Sequence, residues 1–432
     1  MESAPRVGVR AGPHRGEAKI KTVIRNGHVF DTGSMSIGSD EVVAIDDGVI
    51  SYVGSNAQAK ACSGADLEID ASGGFVLPGL IDAHVHMRLT TLDFRQLANW
   101  SEVEFGIAMA RMAGETLARG FTTVRDLGGD VSGLIRSIKR GRTPGPRIFH
   151  AGRMLSQTGG HGDVEGGARA VPQCACEMPH TAFGIVADGA DAVRKAARHN
   201  LRDGVDFLKV HVSGGVATPS DPLDSIQYTP EELRAVVQEA SNRGTYVAAH
   251  AYSPESISMA VASGVHCIEH GNLIDQAAAE QIVKADAVLV PTLVTYTAMR
   301  EFGEQMGLPK TNLEKNRVIA DAGIVSLERA RAAGVTMGFG TDLVGETQSM
   351  QNREFAIRAK VLSPAEILHS MYRVNPQLCR LEGEVGVVAE GAAGDIVIVE
   401  SNPLEDITVL ADPDRNFSHI LQAGRPVHRA QG

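Results

Sequence analysis

The chain has 432 residues, 43% hydrophobic and 22% charged, the balance of a soluble globular protein large enough for one big domain with an accessory one. Its net charge of −11 counts against a nucleic-acid footprint, so no nucleic acid is expected among its partners. No stretch reaches the roughly 18 uninterrupted apolar residues of a membrane span, so no membrane partner is expected either. The cysteines Cys62, Cys174, Cys176, Cys267 and Cys379 are too sparse and odd in number for a disulfide framework.

Residues 1–18 are polar and glycine-rich, without the apolar centre of a signal peptide, and read as a disordered lead-in; the simplest location is cytoplasmic. From Ile20 to Asp70 short alternating runs such as KTVIRNGHVFD and EVVAIDDGVISYVGS predict strands. Asn26-Gly27 and Asp46-Asp47-Gly48 carry hairpin chemistry. The same texture returns near the C-terminus in GDIVIVESNP and FSHILQAGRPVHR. The expectation is a small β-sandwich domain built from both termini, residues 19–75 and 385–432.

Residues 76–384 alternate differently. Eight short apolar runs, FVLPGLIDAHVH, FTTVRDLG, PRIFHAG, VDFLKVHVSGG, TYVAAHAY, HCIEHG, AVLVPTL and VTMGFGTD, are separated mostly by stretches of helical periodicity. Gly120, Gly244, Gly264 and Gly334 stand where helix C-caps are expected. This α/β alternation predicts a (β/α)8 TIM barrel as the catalytic domain.

In such a barrel reactive groups lie at the C-terminal ends of strands. Run one ends in His84 and His86, run four carries Lys209, runs five and six end in His250 and His270, and run eight ends in Asp342. His84 and His86, two apart on a strand, share a face. Four histidines and one aspartate at one barrel mouth suit a zinc-like metal. Cys174-Ala-Cys176 has no second cysteine pair, which favours an incidental role for it.

PGLIDAHVH, the strand-four lysine, the single histidines of runs five and six, and GTD resemble the amidohydrolase superfamily over nearly the whole chain. GFTTVRDLGG, GGHG and KVHVSGG look closest to the branch of imidazolonepropionase-like hydrolases, Xaa-Pro dipeptidases and ochratoxinase-like amidases. The resemblance implies two divalent ions, zinc by preference. His84, His86 and Asp342 would hold one, His250 and His270 the second, and a carbamylated Lys209 would bridge them. It also implies attack by a metal-bridging hydroxide, which two ions make available at neutral pH. Asp342 would move the proton to the leaving amine. Relatives are commonly homo-oligomers, and the same is expected here.

The expected substrate is a small molecule, an amide or dipeptide ending in a free amino acid, as for a dipeptidase, a carboxypeptidase or an ochratoxin-A-type hydrolase. His161 in TGGHGD and Tyr252 stand where dipeptidase-like relatives meet the substrate's carboxylate or carbonyl. Arg88 and Arg125 are further basic candidates, although Arg125 is better read as a strand-end salt bridge. His211, two residues past Lys209, stays open between substrate contact, alternative ligand and packed histidine, with the last two favoured over a catalytic role. The segment from Ser156 to Gly184 is expected to cover the mouth. TLVTYTAMREFGEQMGLPKTN, after run seven, reads equally as apolar pocket lining or as helix packing.

A cyclic-amide hydrolase or a deaminase on the same barrel is the rival enzyme class. Glu255, five residues past His250, is poorly placed for the acid a deaminase needs, and Lys209 argues for two metals. A scaffold that had lost its chemistry would have lost ligands, and every expected position is filled. No G-x-S-x-G elbow competes.

Overall fold

The computed structural model describes residues 19–39, 41–55, 62–91, 100–163 and 183–427. The lead-in, Cys174, Cys176 and residues 164–182 of the expected mouth cover lie outside the described residues.

Strands from both ends of the chain share one mixed sheet. Its order is Arg425–Pro426, Phe417–Gln422, Ile396–Val399, Phe75–Pro78, Lys21–Asp31, Glu41–Asp46, Val49–Ser55. Asp47-Gly48 forms the expected two-residue hairpin, with φ of 49° and 85°. Asn26-Gly27 does not make a turn. It is a bulge inside the continuous strand Lys21–Asp31, where the register with the neighbouring strand shifts. The left-handed φ of Asn26, 58°, is absorbed there, and a Cβ on Gly27 would meet Val76 Cγ2 at 2.6 Å. Local turn chemistry at Asn26 thus yields to pairing on both flanks.

The apolar run from Phe75 splits into two strands with different partners. Phe75–Pro78 runs antiparallel to Ile396–Val399, whereas Leu80–Val85 pairs in parallel with Phe121–Asp126. Gly79 between them passes Thr122 so closely that a Cβ would lie 2.1 Å from Oγ1.

Ser36–Ile37 and Leu67–Asp70 also pair with Lys21–Asp31, and the strands that remain form two parallel sheets. One holds Leu80–Val85, Phe121–Asp126 and Arg147–His150; the other runs Gly184–Val186, Met154–Ser156, Leu208–His211, Val247–Ala251, Cys267–His270, Val288–Val290, Thr336–Met337. Backbone hydrogen bonds cross both gaps between them. Ala83 N donates to Phe339 O (2.8 Å) and Asp342 N to His84 O (2.8 Å) on one side, and Asp206 N to His150 O (2.9 Å) on the other. Ala83, Leu127, Phe207, Ala248, Cys267 and Val290 pack into one apolar cluster drawn from both sheets and the loops beside them.

Helices between the strands are closed as the sequence predicts. Thr229 and Glu232 form a capping box ahead of Pro230–Asn242. Gly120, Gly244, Gly264 and Gly334 follow the C-caps with φ between 65° and 94°. No helix among the described residues is long and apolar enough to cross a membrane.

Candidate metal centre

Strand ends bring His84, His86, Lys209, His250, His270 and Asp342 to one cavity, together with His161, His211 and Tyr252. The backbone of His270 and Asp342 is left-handed, with φ of 74° and 55°, which turns both side chains at the strand ends. His84 Nε2 and His86 Nε2 lie 3.3 Å and 3.2 Å from Asp342 Oδ1. One ligating atom each from His84, His270 and Asp342 fall within 4.8 Å of one another. The His250 and His270 rings are 4.6 Å apart, centroid to centroid.

The hydrogen bonds around these rings fit a metal centre. Glu269 Oε2 takes His84 Nδ1 at 2.7 Å and leaves the buried Nε2 without a hydrogen-bond partner. The Gly214 carbonyl, which can only accept, holds a proton on His250 Nε2 at 3.1 Å and leaves Nδ1 for a ligand. Thr292 Oγ1 occupies His270 Nδ1 at 2.8 Å. Outer partners of this kind fix the tautomer and aim of metal-ligating histidines. Burial holds His250 and His270 well below the ordinary imidazole pKa, in the neutral form that ligates. Burial also raises Asp342, but the surrounding imidazoles outweigh it and keep the carboxylate charged. Lys209 is almost wholly buried, and desolvation lowers its pKa.

Several of these supports escape a reading of the sequence. Glu269 joins His84 to Arg125, whose Nη2 is 2.6 Å from Oε1, so Arg125 forms its salt bridge to a buried carboxylate on the strand Cys267–His270. A glutamate and an arginine on two short strands expected to be buried are the available signal, since neither is tolerably buried alone. Asp82 accepts from Thr341 Oγ1 (2.6 Å), Gln351 Nε2 (2.8 Å) and the His84 amide (3.0 Å), which ties the first strand to the turn carrying Asp342. Tyr296 OH, 2.9 Å from Tyr252 OH, also lines the cavity, as does Met299. The segment after run seven is therefore helix packing and wall at once.

His161 stacks on His250 with centroids 4.4 Å apart, and its Nδ1 lies 3.3 Å from Asp221 Oδ2. His211 is buried edge-on to His161, 5.2 Å between centroids. Arg88 is the expected contact that the structure does not bring to this cavity. Its guanidinium lies over the Phe105 ring at 4.8 Å and donates to Glu102 and the Asp130 carbonyl, both at 3.3 Å. The strand ends at Val85, and Asp126 Oδ2 takes the Met87 amide at 2.6 Å, so two-residue alternation does not continue to Arg88.

Residues 75–427 match the sequence profile of the amidohydrolase family. A solved prolidase complexed with N-methylphosphonate-L-proline is 39% identical, with a TM-score of 0.90 over 95% of this chain and 100% of that one. A Xaa-Pro dipeptidase structure with bound methionine is 29% identical, with a TM-score of 0.83 over 94% of this chain and 99% of that one. Ochratoxinase from Aspergillus niger is 28% identical over 421 residues, 95% of this chain and 87% of the relative.

Proposed function

This chain belongs to the amidohydrolase family and is a hydrolase acting on amide bonds, and from that premise we propose that it releases a C-terminal amino acid from an N-acyl or N-aminoacyl substrate. The observation that carries the reading is the shared cavity, in which the candidate ligands face His161, Tyr252 and an apolar wall that includes Val216 and Met299. The names of the relatives, prolidase, Xaa-Pro dipeptidase and ochratoxinase, support the same substrate class. For the architecture we propose an eight-stranded parallel barrel within residues 76–384, its first strand starting at Leu80, with a composite β-sandwich from the two termini that includes Phe75–Pro78. The hydrogen bonds across both gaps between the parallel sheets support it.

His84, His86 and Asp342 would hold one ion, His250 and His270 another, with zinc suited to the donor set. Bound there, two divalent ions supply an activated water and polarise the scissile carbonyl. Lys209, whose neutral amine burial favours, would combine with carbon dioxide to give a carbamate and a proton, and the carbamate would add an anionic ligand to the centre. Asp342, at the carboxylate that the imidazoles keep charged, takes the proton of the attacking water and delivers it to the leaving amine nitrogen. Tyr252 and His161 orient the substrate from the side of the amino acid's carboxylate. A homo-oligomer is part of the reading. It rests on the resemblance to relatives that are commonly homo-oligomers, and light scattering tests it.

The deciding experiment incubates zinc-loaded protein with N-acyl amino acids and dipeptides carrying proline, phenylalanine, arginine or lysine at the C-terminal position. Amino acid released by the loaded protein and not after chelation supports the reading. No release with two ions bound overturns it and moves the search to cyclic amides.

A further inference from the structure

The loop 214–222, which follows Leu208–His211, is where ligand support, cavity wall and a distant helix meet. Gly214 O takes His250 Nε2, and Val216, Ala217 and Thr218 line the cavity. Gly215 passes so close to His161 that a Cβ would lie 2.2 Å from the ring's Cε1. Thr218 Oγ1 donates to the His161 carbonyl at 2.6 Å, and Asp221 Oδ2 faces His161 Nδ1.

This stretch begins with two glycines, whose amides bond to Ser225 O (3.1 Å) and Asp221 Oδ2 (3.1 Å). The carbonyls beyond them are anchored from outside. Lys315, on the helix Lys310–Ala332, donates from Nζ to Gly215 O (3.1 Å), Thr218 O (2.8 Å) and Asp221 O, and lies 3.4 Å from Asp221 Oδ1. One turn earlier Asn312 Nδ2 donates to Ala217 O at 2.9 Å. An ammonium has three donors and no acceptor, so three inward carbonyls and a carboxylate are its complement. A neutral side chain in its place leaves those oxygens turned on one another. Lys315 is only 14% exposed, yet it is not among the residues lining the cavity.

We propose that Lys315 is a positioning residue: by gathering the carbonyls of the loop together with Asp221, it fixes the His161 ring against His250 in the orientation that meets the substrate. The functional half of this statement rests on the reading of His161 as a carboxylate contact; the placement of the ring does not.

The test uses the full-length, metal-loaded protein. In crystals of Lys315→Met residues 215–222 are expected to shift and the His161 ring to leave its stack on His250, with Gly214, held by Ser225, still on His250 and metal content unchanged. KM for an N-acyl amino acid rises about tenfold with kcat little changed, whereas the matched substrate ending in a carboxamide is unaffected. Propylammonium, which replaces the atoms removed in Lys315→Ala, restores both ring and KM. If Lys315→Met does not fold, Lys315→Ala prepared with propylammonium and then dialysed gives the same comparison. An unmoved His161 overturns the proposal, as does an equal loss of kcat on both substrates. A wild type inactive on every N-acyl amino acid overturns the carboxylate reading alone, and the crystals still decide whether Lys315 sets the ring.

Discussion

Glu269 stands between His84 and Arg125, 2.7 Å from the imidazole Nδ1 and 2.6 Å from the guanidinium Nη2, and all three side chains are buried. Burial raises the carboxyl pKa, but Arg125 and His84 outweigh it and hold it below its usual range, so Glu269 accepts from both. Glu269→Gln keeps the volume and replaces one acceptor with a donor. Metal affinity is expected to fall about 10–100-fold, as for other outer partners of ligating histidines. Titration of the chelated protein with zinc, followed by calorimetry, measures it; unchanged affinity removes Glu269 from the centre.

Lys209→Ala tests whether the two ions share a bridge. Two metal equivalents in the wild type should fall to about one, with hydrolysis lost, because the remaining histidines still offer one complete set. Elemental analysis after dialysis counts the ions. Retention of both, with activity intact, excludes a bridging carbamate.

Much of this centre was legible in the sequence because strand ends are short and apolar, so His84, His250 and His270 stand out against Ala, Val and Ile. The strand-and-glycine-cap alternation was legible for the same reason. What was not legible depends on contacts between distant segments. The bulge at Asn26 needs partners on both sides of its strand. Arg88 leaves the cavity because Asp126, on the neighbouring strand, captures the Met87 amide. Asp82, Glu269 and Lys315 carry ordinary polar identities, and only the fold shows that each is enclosed by the groups it organises.

Tyr252 and Tyr296 share a hydrogen bond at 2.9 Å on the cavity wall, and either hydroxyl can be the donor. Tyr296→Phe removes one partner of the Tyr252 hydroxyl, which keeps its bond to the Val216 backbone. A single hydrogen bond contributes about 0.5–1.5 kcal/mol, so KM is expected to rise up to about tenfold with kcat nearly unchanged. On the proposed role of Tyr252 as a substrate contact, Tyr252→Phe should cost more, because the hydroxyl itself is removed. Steady-state kinetics on one N-acyl amino acid orders the two variants, and the reverse order assigns substrate contact to Tyr296.

A second buried pair predicts stability and not chemistry. Arg358 donates to Glu354 at 2.7 Å and to the carbonyls of Gly338 (2.8 Å) and Pro291 (2.6 Å), while Glu354 takes the amides of Leu293 and Val294. It thereby clamps the ends of the last two parallel strands, just below Thr292 and Asp342. Burial already raises the Glu354 carboxyl to about 7 against the pull of Arg358, so Arg358→Met leaves a carboxyl that must take up a proton and two carbonyls without their donor, which costs about 3–5 kcal/mol. Replacing both partners, Glu354→Gln with Arg358→Met, removes the titrating group and should recover part of the loss. Chemical denaturation of the metal-loaded variants gives the two values. If the double variant is no more stable than Arg358→Met, the unpaired carboxyl is not what the single substitution costs.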